Sequence, residues 1–389
     1  MFKVLTLNNI SPKGLDRLPR EMFEIASELQ HPDAVLLRSE KLHEWPVPET
    51  LLAVGRAGAG VNNIPVEAMS ERGIPVFNAP GANANAVKEL VLAGIFLAAR
   101  NICPAWAFAQ SLEGSDAEMN KRAEAEKKRF TGFELPGRTL GVIGLGAIGV
   151  NVANAAAGLG MHVIGYDPQI TVRSAWNLEA GVRRAHSVDE VLAAADVVTL
   201  HVPETDETRG LINGARLAAS REGQVLLNFA RAGIVDDAAI TKALDNGRLR
   251  SYVCDFPSNA LSAHESVVAL PHIGASTHEA QENCAIMAAD QVRDFLLTGN
   301  IVNSVNFPEL ILPRNASGDR VTVANANVPN MLGQISSTLA QAELNISDMY
   351  NKSRGDIAYS VVDIDGKVPA EALDQLRQTE GVLAVRVIE

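Results

Sequence analysis

The sequence predicts an α/β fold built on a doubly wound parallel sheet, followed by a smaller α+β unit. Three observations carry that expectation. Short apolar strands alternate with helical stretches through most of the chain, the pattern of βα repeats around a parallel sheet. A turn with glycine at 144, 146 and 149 joins a strand to an Ala-rich helix. Residues 319–389 then read as β-α-β-β-α-β, the split-βαβ order of a ferredoxin-like unit.

At 389 residues the chain is too long for one core and calls for two or three domains of roughly 100–200 residues each. The start, Met1-Phe2-Lys3-Val4-Leu5-Thr6-Leu7, lacks the h-region and cleavage site of a signal peptide and reads as a first strand. Residues 34–37, 51–54 and 74–77 look like buried parallel strands. Residues 86–99 are apolar almost all round, as expected of a helix buried between domains. From 113 to 128 glutamate, lysine and alanine interleave, which suits a solvated helix or connector. Leu135-Pro136-Gly137 punctuates the chain. Strands are then expected near 139–143, 161–166, 196–200, 224–228 and 251–255. A long helix follows over 276–298, stopped by Gly299. Residues 311–318 are a linker by composition. Beyond it, strands are expected at 320–325, 346–354, 357–365 and 382–388, with helices at 330–342 and 370–378.

Composition narrows the function classes. Hydrophobic residues at 47% and charged residues at 21% suit a water-soluble globular chain. No apolar run reaches the roughly 20 residues that cross a bilayer, so no membrane partner is expected. A formal net charge of -12 argues against nucleic acid or anionic lipid as a general partner. It also opposes any anionic substrate, so locally placed arginines must do the attracting. Cys103, Cys254 and Cys284 are scattered without ligand spacing, which predicts no metal site and a reducing, cytoplasmic setting.

The glycine turn points to a dinucleotide. Gly144 permits the tight turn, Gly146 lets backbone approach a pyrophosphate, and Gly149 allows close packing of helix on strand. Ala147 and Ile148 open the helix whose first N–H groups face the phosphates. The next strand ends at Asp167, about 20 residues on, where a carboxylate accepts from ribose hydroxyls and repels a 2′-phosphate. The cofactor is therefore expected to be NAD, on a Rossmann-type domain.

Three polar segments follow at strand ends, where open α/β sheets place their ligands. They are Leu200-His201-Val202-Pro203 with Thr205 and Thr208, Asn228-Phe229-Ala230-Arg231-Ala232-Gly233-Ile234-Val235-Asp236, and Leu270-Pro271-His272-Ile273-Gly274-Ala275-Ser276-Thr277. In this order, together with the glycine turn, they resemble the D-isomer-specific 2-hydroxyacid dehydrogenases over nearly the whole chain. Val54-Gly55-Arg56-Ala57-Gly58-Ala59-Gly60-Val61-Asn62-Asn63 resembles the phosphoglycerate-oxidising branch in particular. The C-terminal unit is similar to an ACT regulatory domain. The implied architecture is a flavodoxin-like substrate domain, residues 1–97 completed by 285–310. A Rossmann domain, 98–284, is inserted into it, and the ACT-like domain, 319–389, follows the linker.

Oxidising a secondary alcohol beside a carboxylate needs a base for the hydroxyl proton, a hydride acceptor and a cation that orients the substrate. His272 suits the base, since imidazole titrates near neutrality. Arg231 suits the cation, gripping carboxylate and polarising the oxygen on the reacting carbon. The resemblance further implies cofactor contacts from His201, Pro203, Thr208, Ala230, Asp255 and Gly274. It implies substrate contacts from Arg38, Arg56, Ala57 and Gly58, with the arginines at the phosphate end. In the ACT-like unit Asn325, Asn327 and Asn345 match positions that contact an L-serine effector. There Asn325 stands where histidine is common, and Pro329-Asn330 replaces a common Pro-Gly turn.

One departure bears on catalysis. Most family members carry a glutamate after the Asp255 strand that pairs with the histidine, and Ala260 occupies that place here. Glu265 follows, but its surroundings match a non-catalytic loop. A carboxylate beside an imidazolium contributes roughly one to a few kcal/mol, so its loss slows turnover without abolishing it. The implied activity is NAD-dependent oxidation of D-3-phosphoglycerate to 3-phosphohydroxypyruvate, the first step of the phosphorylated route to L-serine. Two alternatives stay open: another 2-hydroxyacid such as 2-hydroxyglutarate, glycerate or lactate, or a catalytically weak NAD-sensing regulatory protein. A homo-oligomer, dimer or tetramer, is expected from the 86–99 helix and the ACT-like unit.

Overall fold

The computed structural model describes residues 1–314 and 318–389, so residues 315–317 of the expected linker lie outside the described residues. The chain forms two compact units, residues 1–83 with 278–389 and residues 84–277.

The first unit holds a five-stranded parallel sheet in the order β2-β1-β3-β4-β5. Its strands are β1 (Phe2–Leu7), β2 (Phe23–Ala26), β3 (Ala34–Leu37), β4 (Ala53–Arg56) and β5 (Val76–Phe77). β3 is buried along its whole length, which explains its unbroken apolar run. The helix His278–Thr298 packs Cys284, Ala285, Ala288, Val292 and Phe295 against Val4, Leu36 and Ala53 of this sheet.

A four-stranded antiparallel sheet belongs to the same unit. It runs β14-β15-β13-β16, with β13 (Arg320–Ala326), β14 (Ile346–Arg354), β15 (Ile357–Ile364) and β16 (Val382–Ile388). Helices Met331–Gln341 and Ala370–Gln378 cover it through Ile335, Leu339 and Leu376. This is the βαββαβ arrangement read from the sequence. Its other side joins the core of the parallel sheet, where Tyr359 and Val361 pack with Phe295 and Phe307.

The second unit carries a seven-stranded parallel sheet, β12-β11-β10-β9-β6-β7-β8. The strands are β6 (Thr139–Ile143), β7 (His162–Tyr166), β8 (Arg183–Arg184), β9 (Val197–Leu200), β10 (Gln224–Asn228), β11 (Leu249–Cys254) and β12 (Val267–Ala269). Strand order reverses at β6 and β9, which sets a ligand crevice at their carboxyl ends.

Several expectations need correction. The units divide at 83/84 and 277/278 rather than 97/98 and 284/285. The helix Ala84–Ala99 packs Val87, Val91 and Ile95 with Val150 and Ala153 of the second unit, so it is not part of a 1–97 domain. The return helix belongs to the first unit from its first residue, His278. The ACT-like unit has its own core on one side of its sheet and packs on the substrate unit through the other. Strand 51–54 sits two residues later, and 74–77 shortens to two residues. β2 and the helix Ile102–Gln110 carried no readable signal; the helix buries none of its residues. Among the described residues no single helix is long and apolar enough to cross a membrane.

Candidate active site

The glycine turn is built by contact. Gly144 follows β6 with φ +93 and donates its N–H to Tyr166 O at 2.8 Å. A Cβ there would meet His201 O at 2.5 Å, and one at Gly149 would meet Gly144 O at 1.9 Å. Nothing lies within 4 Å of a Cβ at Gly146, the residue that starts the helix Ala147–Gly158. No side chain caps that helix, so its first N–H groups, from Ala147 onward, lack intrahelical acceptors. Open space beside unclaimed donors fits a pyrophosphate, and the residues present fit NAD. Asp167 accepts from Leu145 N and Gln169 N, each at 2.8 Å, which ties this carboxylate to the turn itself.

On the neighbouring strand end, His201 Nε2 lies 3.0 Å from Thr199 Oγ1, and Nδ1 is buried with no hydrogen-bond partner among the described residues. Burial pushes this imidazole down to about 3, so the ring is neutral. Thr208 Oγ1 donates to Pro203 O at 2.5 Å and accepts from Thr205 N at 2.8 Å, closing the 203–208 turn.

The two candidate catalytic loops leave the ends of β10 and β12, the strands on either side of β11. Asn228, fully buried at the end of β10, accepts at its main-chain oxygen from Asp255 N (3.1 Å). Its side chain accepts from Ala230 N (3.2 Å) and donates to Arg231 O (2.9 Å). Arg231 is exposed, donates from Nη1 to Ala230 O, and forms no ion pair among the described residues. Asp255 is 1% exposed, and its two oxygens accept from Ile273 N (2.8 Å) and Gly274 N (2.7 Å). Those bonds hold the segment in which His272 adopts left-handed backbone, φ +56. The exposed imidazole packs on Phe256. Among the described residues no carboxylate pairs with it, and Ala260 sits in an exposed turn. Asp255 thus supports the histidine loop, a role beyond the cofactor contact that the resemblance implies.

The remaining substrate candidates lie in the first unit. Arg56 Nε donates to Arg38 O at 3.0 Å, and Asn63 Nδ2 donates to the same oxygen and to Glu40 O. The Arg56 guanidinium occupies the space a Cβ at Gly58 would need. Arg38 and Ala57 line a cavity of about 290 Å³ together with Ser11, His278, Gln281 and Glu282. Burial raises the nearby Cys284 thiol, against the opposing pull of Arg56 and Arg38.

In the C-terminal unit the three asparagines donate within the protein, while Asn325 Oδ1 is buried with no hydrogen-bond partner among the described residues. Asn325 is 1% exposed and donates to Ala326 O, Asn327 donates to Gly355 O, and Asn345 donates to Asp365 Oδ2. Asn330 takes left-handed backbone, φ +68, which explains how asparagine stands in a turn that commonly uses glycine. Asn228 stands in the arginine segment but received no role from the sequence, and Tyr252 looks like core.

Comparison with known proteins adds the lineage. Residues 102–279 match the family described as D-isomer specific 2-hydroxyacid dehydrogenase, NAD binding domain. The chain is 35% identical to the D-3-phosphoglycerate dehydrogenase of Haemophilus influenzae over 349 residues, covering 87% of this chain and 81% of that protein. With the enzyme of the same name from Methanocaldococcus jannaschii it shares 39% over 298 residues, 74% of this chain and 54% of that longer protein. Among solved structures, the NAD+-bound 3-phosphoglycerate dehydrogenase of Entamoeba histolytica superposes with a TM-score of 0.60 at 26% identity. That match covers 79% of this chain and 99% of the other.

Proposed function

Because the chain belongs to the D-isomer specific 2-hydroxyacid dehydrogenases, we propose that it is the NAD-dependent enzyme oxidising D-3-phosphoglycerate to 3-phosphohydroxypyruvate. The observation that carries this reading is continuous similarity to D-3-phosphoglycerate dehydrogenases over most of the chain, on a sheet whose ends hold Arg231 and His272.

Each residue then has a task. NAD supplies the hydride acceptor. The exposed Arg231 guanidinium binds the substrate carboxylate and polarises the oxygen on the reacting carbon. His272 takes the hydroxyl proton. Arg38 and Arg56, with Ala57 and Gly58 beneath them, receive the phosphate, supplying local positive charge in a chain of net charge -12. Asp167 selects NAD against a 2′-phosphate.

Three further parts belong to this reading. The chain self-associates, supported by Phe96, Ile102 and Trp106, which are 40%, 42% and 65% exposed on the helices Ala84–Ala99 and Ile102–Gln110. The ACT-like unit takes L-serine weakly, since Asn325, Asn327 and Asn345 are engaged within the protein. The setting is the cytoplasm, in keeping with three cysteines outside any disulfide.

The test is NADH formation with 3-phosphoglycerate against 2-hydroxyglutarate, glycerate and lactate. The phosphorylated acid should give the highest kcat/KM, and Arg56→Ala should raise its KM. A higher kcat/KM with an unphosphorylated acid would move the enzyme to another branch of the family. NADH binding without turnover of any of them would leave a sensor.

A further inference from the structure

The carboxamide of Asn228 sits where three independent constraints meet. Its Oδ1 accepts from Ala230 N, and its two N–H groups reach Arg231 O and Tyr252 Oη at 2.9 and 3.3 Å. The orientation of the amide is fixed, because a backbone N–H only donates and a backbone C=O only accepts. Asn228 is fully buried and Tyr252 is 1% exposed, and the bond between them is buried. Burial also pushes the Tyr252 phenol well above its ordinary range, leaving it a neutral hydroxyl. The loop between β10 and the turn Ala232–Ile234 is therefore tied on both sides of Arg231, while the guanidinium itself stays exposed.

We propose that Asn228, backed by Tyr252, is a positioning residue for the dehydrogenase reaction: it holds Ala230 N and Arg231 O, before and after the Arg231 Cα, so that the guanidinium meets the substrate from a fixed base. This rests on the reading of Arg231 as the substrate-binding cation. The physical ground is that catalysis loses heavily when a reacting or orienting group is misplaced by about 1 Å, and an exposed arginine gains its precision from its backbone. The main-chain bond from Asp255 N to Asn228 O places the support of the histidine loop on the same pair of strands. One rigid strand pair, β10 and β11, thus anchors both loops.

The experiment is a double-mutant cycle on the full-length protein with Asn228→Ala, Arg231→Ala and the pair. It reads kcat/KM for 3-phosphoglycerate and the NADH Kd by fluorescence. Asn228→Ala should lower kcat/KM at least about tenfold in wild type, with NADH Kd held within about twofold. In the Arg231→Ala background the same change should cost less than about twofold, because the group it positions is gone. Losses that multiply, or NADH affinity that falls in step with kcat/KM, overturn the proposal. Near-wild-type activity in Arg231→Ala alone overturns the reading of the site and the proposal with it, and appears in a variant that leaves Asn228 intact. Tyr252→Phe covers the case in which Asn228→Ala does not fold. It removes one oxygen and should lower kcat/KM about two- to fivefold with NADH Kd unchanged; no loss there counts against the proposal.

Discussion

The ring of Phe256 lies 5.0 Å from the imidazole of His272, its plane tilted by 58°, and among the described residues no carboxylate pairs with that imidazole. Ala260, the position where the resemblance places the family's glutamate, lies on the same loop as Phe256. A carboxylate beside an imidazole favours the protonated form, whereas oxidation needs the neutral base. In Ala260→Glu the acid limb of the oxidation profile should therefore move to higher pH, and reduction of the keto acid should gain near neutrality. Profiles of kcat/KM in both directions check this. Coincident curves for the two proteins would show that position 260 does not address the histidine.

Gly146 and Gly149 separate cofactor binding from folding. A Cβ at 146 meets nothing within 4 Å, while one at 149 meets Gly144 O at 1.9 Å. Gly146→Ala should keep the wild-type Tm yet raise the KM for NAD+, since the methyl enters only the space a pyrophosphate takes. Gly149→Ala should lower Tm, because backbone must move to relieve the overlap. A Tm loss in Gly146→Ala as large as in Gly149→Ala would contradict this division.

The sequence made legible what periodicity and short-range chemistry encode. β6, β7, β9 and β10 are short apolar runs bounded by turn residues, and the glycine turn follows from local sterics, so these fell within a residue or two of their observed ends. β2 did not, because Phe23-Glu24-Ile25-Ala26 is four residues with one core side chain and takes its strand geometry from pairing with β1. The place of the first unit's edge, at 83/84, was hidden for a related reason. Whether Ala84–Ala99 joins one unit or the other depends on which helix it packs against, and an all-round apolar helix carries no preferred face. At the site, Arg231 and His272 stood out by type and motif. Asn228 did not, since a buried amide is informative only once its three partners are known. The docking of the ACT-like sheet onto the substrate unit was equally hidden: Arg320 reads as a surface charge in sequence yet is fully buried.

That arginine predicts a large stability effect. Arg320 forms a two-pronged pair with Asp363 at 2.6 and 2.8 Å, the partner being 1% exposed, and donates to Thr298 O and Leu312 O as well. Asp363→Ala strands a buried guanidinium and should cost about 3–5 kcal/mol by denaturant unfolding. Arg320→Met with Asp363→Leu should recover part of that loss, because neither charge is left unpaired. A loss below about 1 kcal/mol in Asp363→Ala would mean that the main-chain oxygens of Thr298, Leu312 and Pro313 satisfy the arginine.

The Tyr359 phenol predicts how that junction responds to alkali. Its hydroxyl donates to Gly299 O at 2.8 Å, and burial pushes its pKa from 10.0 to about 12. In the unfolded chain the phenol ionises near its ordinary value, so the folded state holds the proton more tightly. The stability this group contributes is fully present below pH 10 and is lost as pH rises through about 12. At neutral pH Tyr359→Phe should cost about 1 kcal/mol, the net worth of one hydrogen bond. Above pH 10 the wild type should lose stability faster than the variant, since only the wild type must keep this proton on. Tyr252 is shifted in the same direction but is present in both proteins, so it cancels in the comparison. Urea midpoints measured from pH 8 to 12 should therefore converge at the alkaline end. Parallel curves across that range would show that the phenol ionises as readily in the fold as out of it, and that the contact with Gly299 does not hold the proton.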